Sequence, residues 1–192
     1  MRRSENYQPP SFGQKRTIPS LINRMPKKFE IVRAREDELD TMLTVLDEAA
    51  EWLVTKSIAG PWIPGSFSRQ TFADQIARGE VYVAKLGEET VGTITLQWSD
   101  ELFWPRAPAD AGYVHKLALR PTYLRRGFGL RMLEWAERVS KAAGKNFLRL
   151  DCLAENGEIR SYYENLGFIH QDDVEIERWK ASLYQKKIDS DR

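Results

Sequence analysis

A chain of 192 residues, 42% hydrophobic and 30% charged, suits a single globular domain and is long enough to bury a sizeable core. No apolar run approaches the roughly 20 residues of a membrane helix, and the single cysteine, Cys152, excludes an internal disulfide and fits a reducing, cytoplasmic setting. The net charge of +1 hides an asymmetry: residues 1–28 hold seven basic residues and one acidic, so the remainder carries −5, which argues against a nucleic-acid face on the folded body and favours a cationic substrate.

Residues 1–28 contain Pro9, Pro10, Pro19 and Pro26 without a sustained period and are expected to form a flexible arm ahead of one domain over 29–192. Residues 29–35 alternate as a first strand. Residues 36–56 read as a long helix, capped by Asp37, with Leu39, Leu43, Leu46, Ala50 and Leu53 on its apolar face. Pro61, Trp62, Pro64 and two glycines make 58–65 a loop, after which Ser68 caps a second helix carrying Phe72, Ile76 and Ala77 and ending at Gly79. Residues 80–86 and 90–98, joined through Gly87, predict an antiparallel hairpin. A second loop, 99–110, holds Asp100, Glu101, Phe103, Trp104 and Asp110.

Residues 113–119 are apolar and β-prone and run to Pro121, which predicts a buried strand. Leu124-Arg-Arg-Gly-Phe-Gly-Leu130 follows. Gly127 and Gly129 have no side chains, so backbone amides there can approach an anion, and the helix that opens next adds unpaired N–H groups and the positive end of its dipole. Arg125 and Arg126 add charge, and the loop is suited to pyrophosphate. Leu130, Leu133, Trp135, Ala136 and Val139 mark that helix until Gly144. Residues 146–153 form a strand in which Leu148, Leu150 and Cys152 alternate with Arg149 and Asp151. Residues 155–166 form a short helix closed by Gly167, and 168–187 supply two more strands, the second around 178–184.

Val114-His-Lys-Leu-Ala-Leu-Arg-Pro121, Arg125-Arg-Gly-Phe-Gly-Leu130, Leu150-Asp-Cys-Leu-Ala-Glu-Asn156 and Ser161-Tyr-Tyr-Glu-Asn-Leu-Gly-Phe168 together resemble the GCN5-related N-acetyltransferase superfamily. The resemblance implies an α/β (α+β) fold: a mixed, twisted sheet of about seven strands flanked by four helices, with strands four and five splayed around acetyl-CoA. It implies that backbone amides from Arg125, Arg126, Gly127, Phe128, Gly129 and Leu130 hold the pyrophosphate. The backbone of Leu117, Ala118 and Leu119 would pair with pantetheine, Asn156 would bond the cofactor's amide arm, and Tyr163 would be the acid for the departing thiolate. Leu124 departs from the Gln or Arg usual there, at a position where the contacts are largely backbone.

Acetyl transfer to an amine requires a neutral nucleophile, a donor for the developing oxyanion and a proton for sulfur. A strand-four amide, that of Leu119, can polarise the carbonyl, and His115 is the candidate for taking the amine proton through water because imidazole titrates near neutrality. His115 is equally readable as a strand residue with its hydrogen bonds satisfied. Tyr162 reads as core, and Cys152 as a buried strand cysteine, since no activating histidine pattern surrounds it. By family analogy the two loops form the acceptor pocket, with Trp62, Trp98, Phe103 and Trp104 enclosing a small-molecule amine and Glu101 and Asp110 pairing with its ammonium; the same aromatics also read as cover for the core. No metal is expected, and a homodimer stays open. Two alternatives remain: a non-catalytic acyl-CoA-binding regulatory domain, and an acetyltransferase acting on a peptide amine.

Overall fold

The computed structural model describes residues 27–176 and 179–189, so the expected arm lies outside the described residues except for Lys27 and Lys28. Among them, seven strands and four helices alternate: β1 (Phe29–Arg33), α1 (Leu39–Thr55), α2 (Arg69–Ala77), β2 (Val81–Leu86), β3 (Glu89–Gln97), β4 (Ala111–Leu119), α3 (Phe128–Ala142), β5 (Phe147–Leu153), α4 (Gly157–Asn165), β6 (Ile169–Ile176) and β7 (Trp179–Lys187). The strands form one mixed sheet in the order β1-β2-β3-β4-β5-β7-β6. All neighbours are antiparallel except β4 and β5, which run parallel, as strands joined by a crossover helix must.

Each helix buries the stripe its period provides. On one face, Met42, Val45 and Leu46 of α1 and Phe72 and Ile76 of α2 pack with Val81, Val83 and Ala118. On the other, Met132, Leu133 and Ala136 of α3 and Tyr163 of α4 pack with Leu148, Leu150, Cys152 and Tyr184. Ser68 caps α2 as expected, its hydroxyl accepting from the Thr71 amide. The start of α1 differs: Glu36–Glu38 is a 3-10 turn, and Asp37 pairs with Arg35 at 3.0 Å instead of capping. Glu38, which accepts from the Arg35 amide and meets Lys85 at 2.6 Å, ties that turn to β2. Leu130 also differs, remaining 38% exposed at the start of α3.

At the β6–β7 edge, Asp173 accepts from the Ser182 hydroxyl at 2.6 Å and lies 2.8 Å from His170 Nε2. The Ser182 bond first, and then His170, hold its carboxyl down to about 2. A carboxyl depressed in the folded state stabilises it above the unfolded value near 4, and loses that contribution as pH falls through the folded value. Solvent screening at this edge limits the effect to about 1 kcal/mol. Asp173→Asn should therefore flatten the fall in stability across this acid range, measured by denaturant unfolding; an unaltered slope would place the acid sensitivity elsewhere.

Candidate active site

β4 and β5 begin as a regular parallel pair and then part. Ala111–Val114 is in register with Phe147–Leu150. Beyond that, residues 115–119 have β3 on one side and no strand on the other, while 151–153 continue along β7. A bulge marks the parting: Thr93 pairs with Ala118 and Thr95 with His115, so Lys116 and Leu117 face the single residue Ile94. Lys116 takes a left-handed backbone, φ +49°, which costs a residue with a Cβ about 1 kcal/mol or more. β3 approaches closely here: a Cβ on Gly92 would lie 2.7 Å from the Ala118 carbonyl oxygen, so only glycine fits.

On the face toward α1 and α2, His115 lies between two carboxylates. Its Nε2 is 3.5 Å from Asp100 Oδ2, and its Nδ1 is 3.6 Å from Asp151 Oδ1. Asp100 Oδ1 accepts from the Leu102 and Phe103 amides at 3.1 Å, which folds the 99–110 loop and turns Oδ2 toward the imidazole. Burial pushes the Asp100 carboxyl upward, against the pull of His115. Buried Arg149 pins that loop to the sheet: it donates to Tyr113 Oη at 2.7 Å and Gln185 Oε1 at 2.8 Å, and meets Asp110 Oδ1 at 3.1 Å. The Lys116 ammonium lies 5.6 Å from the centre of the Trp62 ring, and the loop carrying Trp62 reaches β5, where a Cβ on Gly60 would touch Leu153 at 3.4 Å.

The opposite rim is built from helix starts. α3 opens at Gly127, φ +78°, and no side chain caps it, which leaves the amides of its first turn without an intrahelical partner. A Cβ on Gly127 would meet nothing within 4 Å, so this rim is open ground. Gly129 is tighter, its added Cβ 3.1 Å from Tyr162 Oη, so α4 abuts the first turn of α3. Asn156 caps α4, its Oδ1 accepting from the Ile159 amide at 3.2 Å, so its Nδ2 is the group left for another partner. Tyr163 is buried against Phe168, Tyr184 and Tyr162, its hydroxyl makes no hydrogen bond among the described residues, and burial first, then nearby Cys152 and Asp151, push its pKa well above the usual phenol. Burial likewise pushes the Cys152 thiol up to about 12, which rules against it as a nucleophile at neutral pH.

A splayed parallel pair, a bulged strand, an uncapped glycine-led helix and a buried tyrosine coincide with a family-wide sequence pattern: the model of the acetyltransferase (GNAT) family matches residues 44–168. The chain belongs to the GNAT family. Its relatives include an uncharacterised N-acetyltransferase of Bacillus subtilis, YesJ, 28% identical over 140 residues that span 69% of this chain and 77% of YesJ. A GNAT acetyltransferase from Listeria monocytogenes shares the fold with a TM-score of 0.69 at 21% identity, covering 83% of this chain and 94% of the other. The PaiA N-acetyltransferase of Thermoplasma acidophilum, solved with coenzyme A, shares it at 0.67 and 22% identity, with 83% and 99% covered. The ribosomal-protein-S18-alanine N-acetyltransferase of Escherichia coli shares it at 0.65 and 19%, with 86% and 97% covered.

Within this GNAT chain the structure gathers His115, the 117–119 backbone, Trp62 and Tyr163 around the splay. It places other candidates elsewhere. Trp98 lies at the paired start of β4 and β5, where the Lys145 ammonium sits 5.5 Å from its ring centre. Asp110 is already matched with Arg149, whose guanidinium also lies 5.0 Å from the centre of the Trp104 ring, and Glu101 is exposed. Sequence reasoning missed Asp100, Asp151 and Lys116. Asp151 did leave a signal, being an acid between the buried strand residues Leu150 and Cys152.

Proposed function

We propose that the chain transfers the acetyl group of acetyl-CoA to the primary amine of a small molecule, by direct attack within a ternary complex. The observation that carries this reading is the meeting, at one end of the parallel pair, of the open edge of β4, the uncapped start of α3 and Tyr163. The residues fit the donor: free amides with Arg125 and Arg126, both exposed, suit pyrophosphate, the 117–119 edge offers backbone groups for an extended amide arm, and the cap of α4 leaves Asn156 Nδ2 available.

The donor supplies a thioester carbonyl. In the transfer a carbon–nitrogen bond forms and the carbon–sulfur bond breaks. His115 receives the proton lost by the amine, through water, and Asp100 and Asp151 stabilise the cation it becomes. Tyr163, kept protonated by burial, gives its proton to sulfur. The lone buried Cys152 suits a cytoplasmic enzyme. A thiol-release screen of acetyl-CoA against small amines and peptide amino termini tests the whole reading. Binding of acetyl-CoA without release against any amine would favour a regulatory acyl-CoA-binding domain, and release against peptides alone would change the acceptor class.

His115→Ala should lower the rate at saturating substrates about tenfold, below the roughly 100-fold of a base in direct contact because water intervenes. Acetyl-CoA affinity should hold and the acid limb of the pH profile should move. A profile that keeps its shape would return His115 to a structural role in β4.

A further inference from the structure

Lys116 is a cation drawn into the site with no carboxylate in contact, Asp151 acting on it only from beyond 4 Å. Comparable half-buried lysines are matched: Lys85 meets Glu38 at 2.6 Å, Lys186 meets Glu137 at 2.8 Å and Lys180 meets Asp173 at 3.7 Å. Lys116 has neither a hydrogen bond nor a carboxylate within 4 Å among the described residues, and its ammonium lies over the Trp62 ring. Taking an unpaired ammonium out of water is unfavourable, and burial pulls its pKa down accordingly. The backbone that aims it is left-handed, so the bulge adds strain at the same residue. One residue earlier on the strand, His115 lies between Asp100 and Asp151. A negative cluster and a positive group with no carboxylate in contact therefore sit side by side on one wall.

We infer that the acceptor is an amino acid: its amine faces the Asp100–His115–Asp151 cluster, and its carboxylate is received by Lys116 against the indole of Trp62. The inference rests on the acetyltransferase reading and narrows its acceptor. A carboxylate supplies the direct partner that Lys116 lacks, and a bond between charged groups in a partly dried site is stronger than one in water. Lysine suits the task as a compact point charge that reaches the anion without demanding a two-pronged geometry.

Steady-state acetylation by the full chain, with amino acids matched to their amides and to the corresponding decarboxylated amines, provides the test. The wild type should favour the acids by about tenfold or more in kcat/KM, about 1.4 kcal/mol, expressed mainly in KM. Lys116→Met should reduce that preference to within about twofold by raising KM for the acids, and Lys116→Arg should retain part of it. Equal or better use of amides and amines by the wild type would overturn the inference without any variant, as would a Lys116→Met protein that keeps the preference. Acetylation that ignores the carboxylate leaves the transferase reading standing and removes only this inference. Acetyl-CoA binding with no amine acetylated in any set removes both.

Discussion

Gly127→Asp is expected to leave the protein folded and to weaken acetyl-CoA binding about 100-fold or more, roughly 3 kcal/mol. The side chain has room, because a Cβ at Gly127 meets nothing within 4 Å. The backbone at φ +78° costs a substituted residue about 1 kcal/mol, and aspartate is among those that tolerate it best. What changes is the charge. The carboxylate would stand at the positive end of α3, where the pyrophosphate is proposed to sit, engaging the same amides and repelling the phosphates. Calorimetry on the folded variant, with Gly127→Ala as the uncharged control, measures the difference. Unchanged affinity in Gly127→Asp would place the donor elsewhere.

Tyr163→Phe should lower turnover about 100-fold, the low end for general acid help because a thiolate is an easy leaving group. The substitution removes one oxygen that makes no hydrogen bond among the described residues, and the ring contacts with Phe168 at 5.8 Å and Tyr184 at 6.2 Å persist. Stability should thus stay within about 0.5 kcal/mol of the parent. Acetyl-CoA affinity should change little. A donor with a more acidic thiol should recover part of the lost rate, since it needs the proton less. Normal turnover of Tyr163→Phe with acetyl-CoA would assign the acid to water or another residue.

The sheet was legible because its strands announce themselves by local rules. β2 and β3 flank a glycine turn, β4 runs into a proline and a glycine loop, and the residues of β5 alternate. The helices were legible by period, and their ends by Ser68, Gly79, Gly144 and Gly167. The rim proposed to hold the cofactor was legible for the same reason, since glycines and arginines at fixed spacing describe a backbone surface. The wall proposed to face the acceptor was not. Nothing in Val-His-Lys-Leu-Ala-Leu signals a bulge, because the left-handed residue is lysine and not glycine, so the direction of the Lys116 side chain could not be read from alternation. Asp100 and Glu101 are neighbours of like charge in a loop, and only the turn closed by the Leu102 and Phe103 amides selects Asp100 to face His115. Arg149 looks like the wet side of a strand until Asp110 of the 99–110 loop is seen against it, and Asp151 until His115 is seen beside it. Local periodicity records burial against neighbours in sequence, and these contacts are made by segments far apart in it.

Cys152 is the chain's single cysteine, and burial pushes its thiol up to about 12, which keeps it protonated at neutral pH. Peroxides and electrophiles attack the thiolate, so this buried thiol offers them a poor target compared with an exposed, activated cysteine.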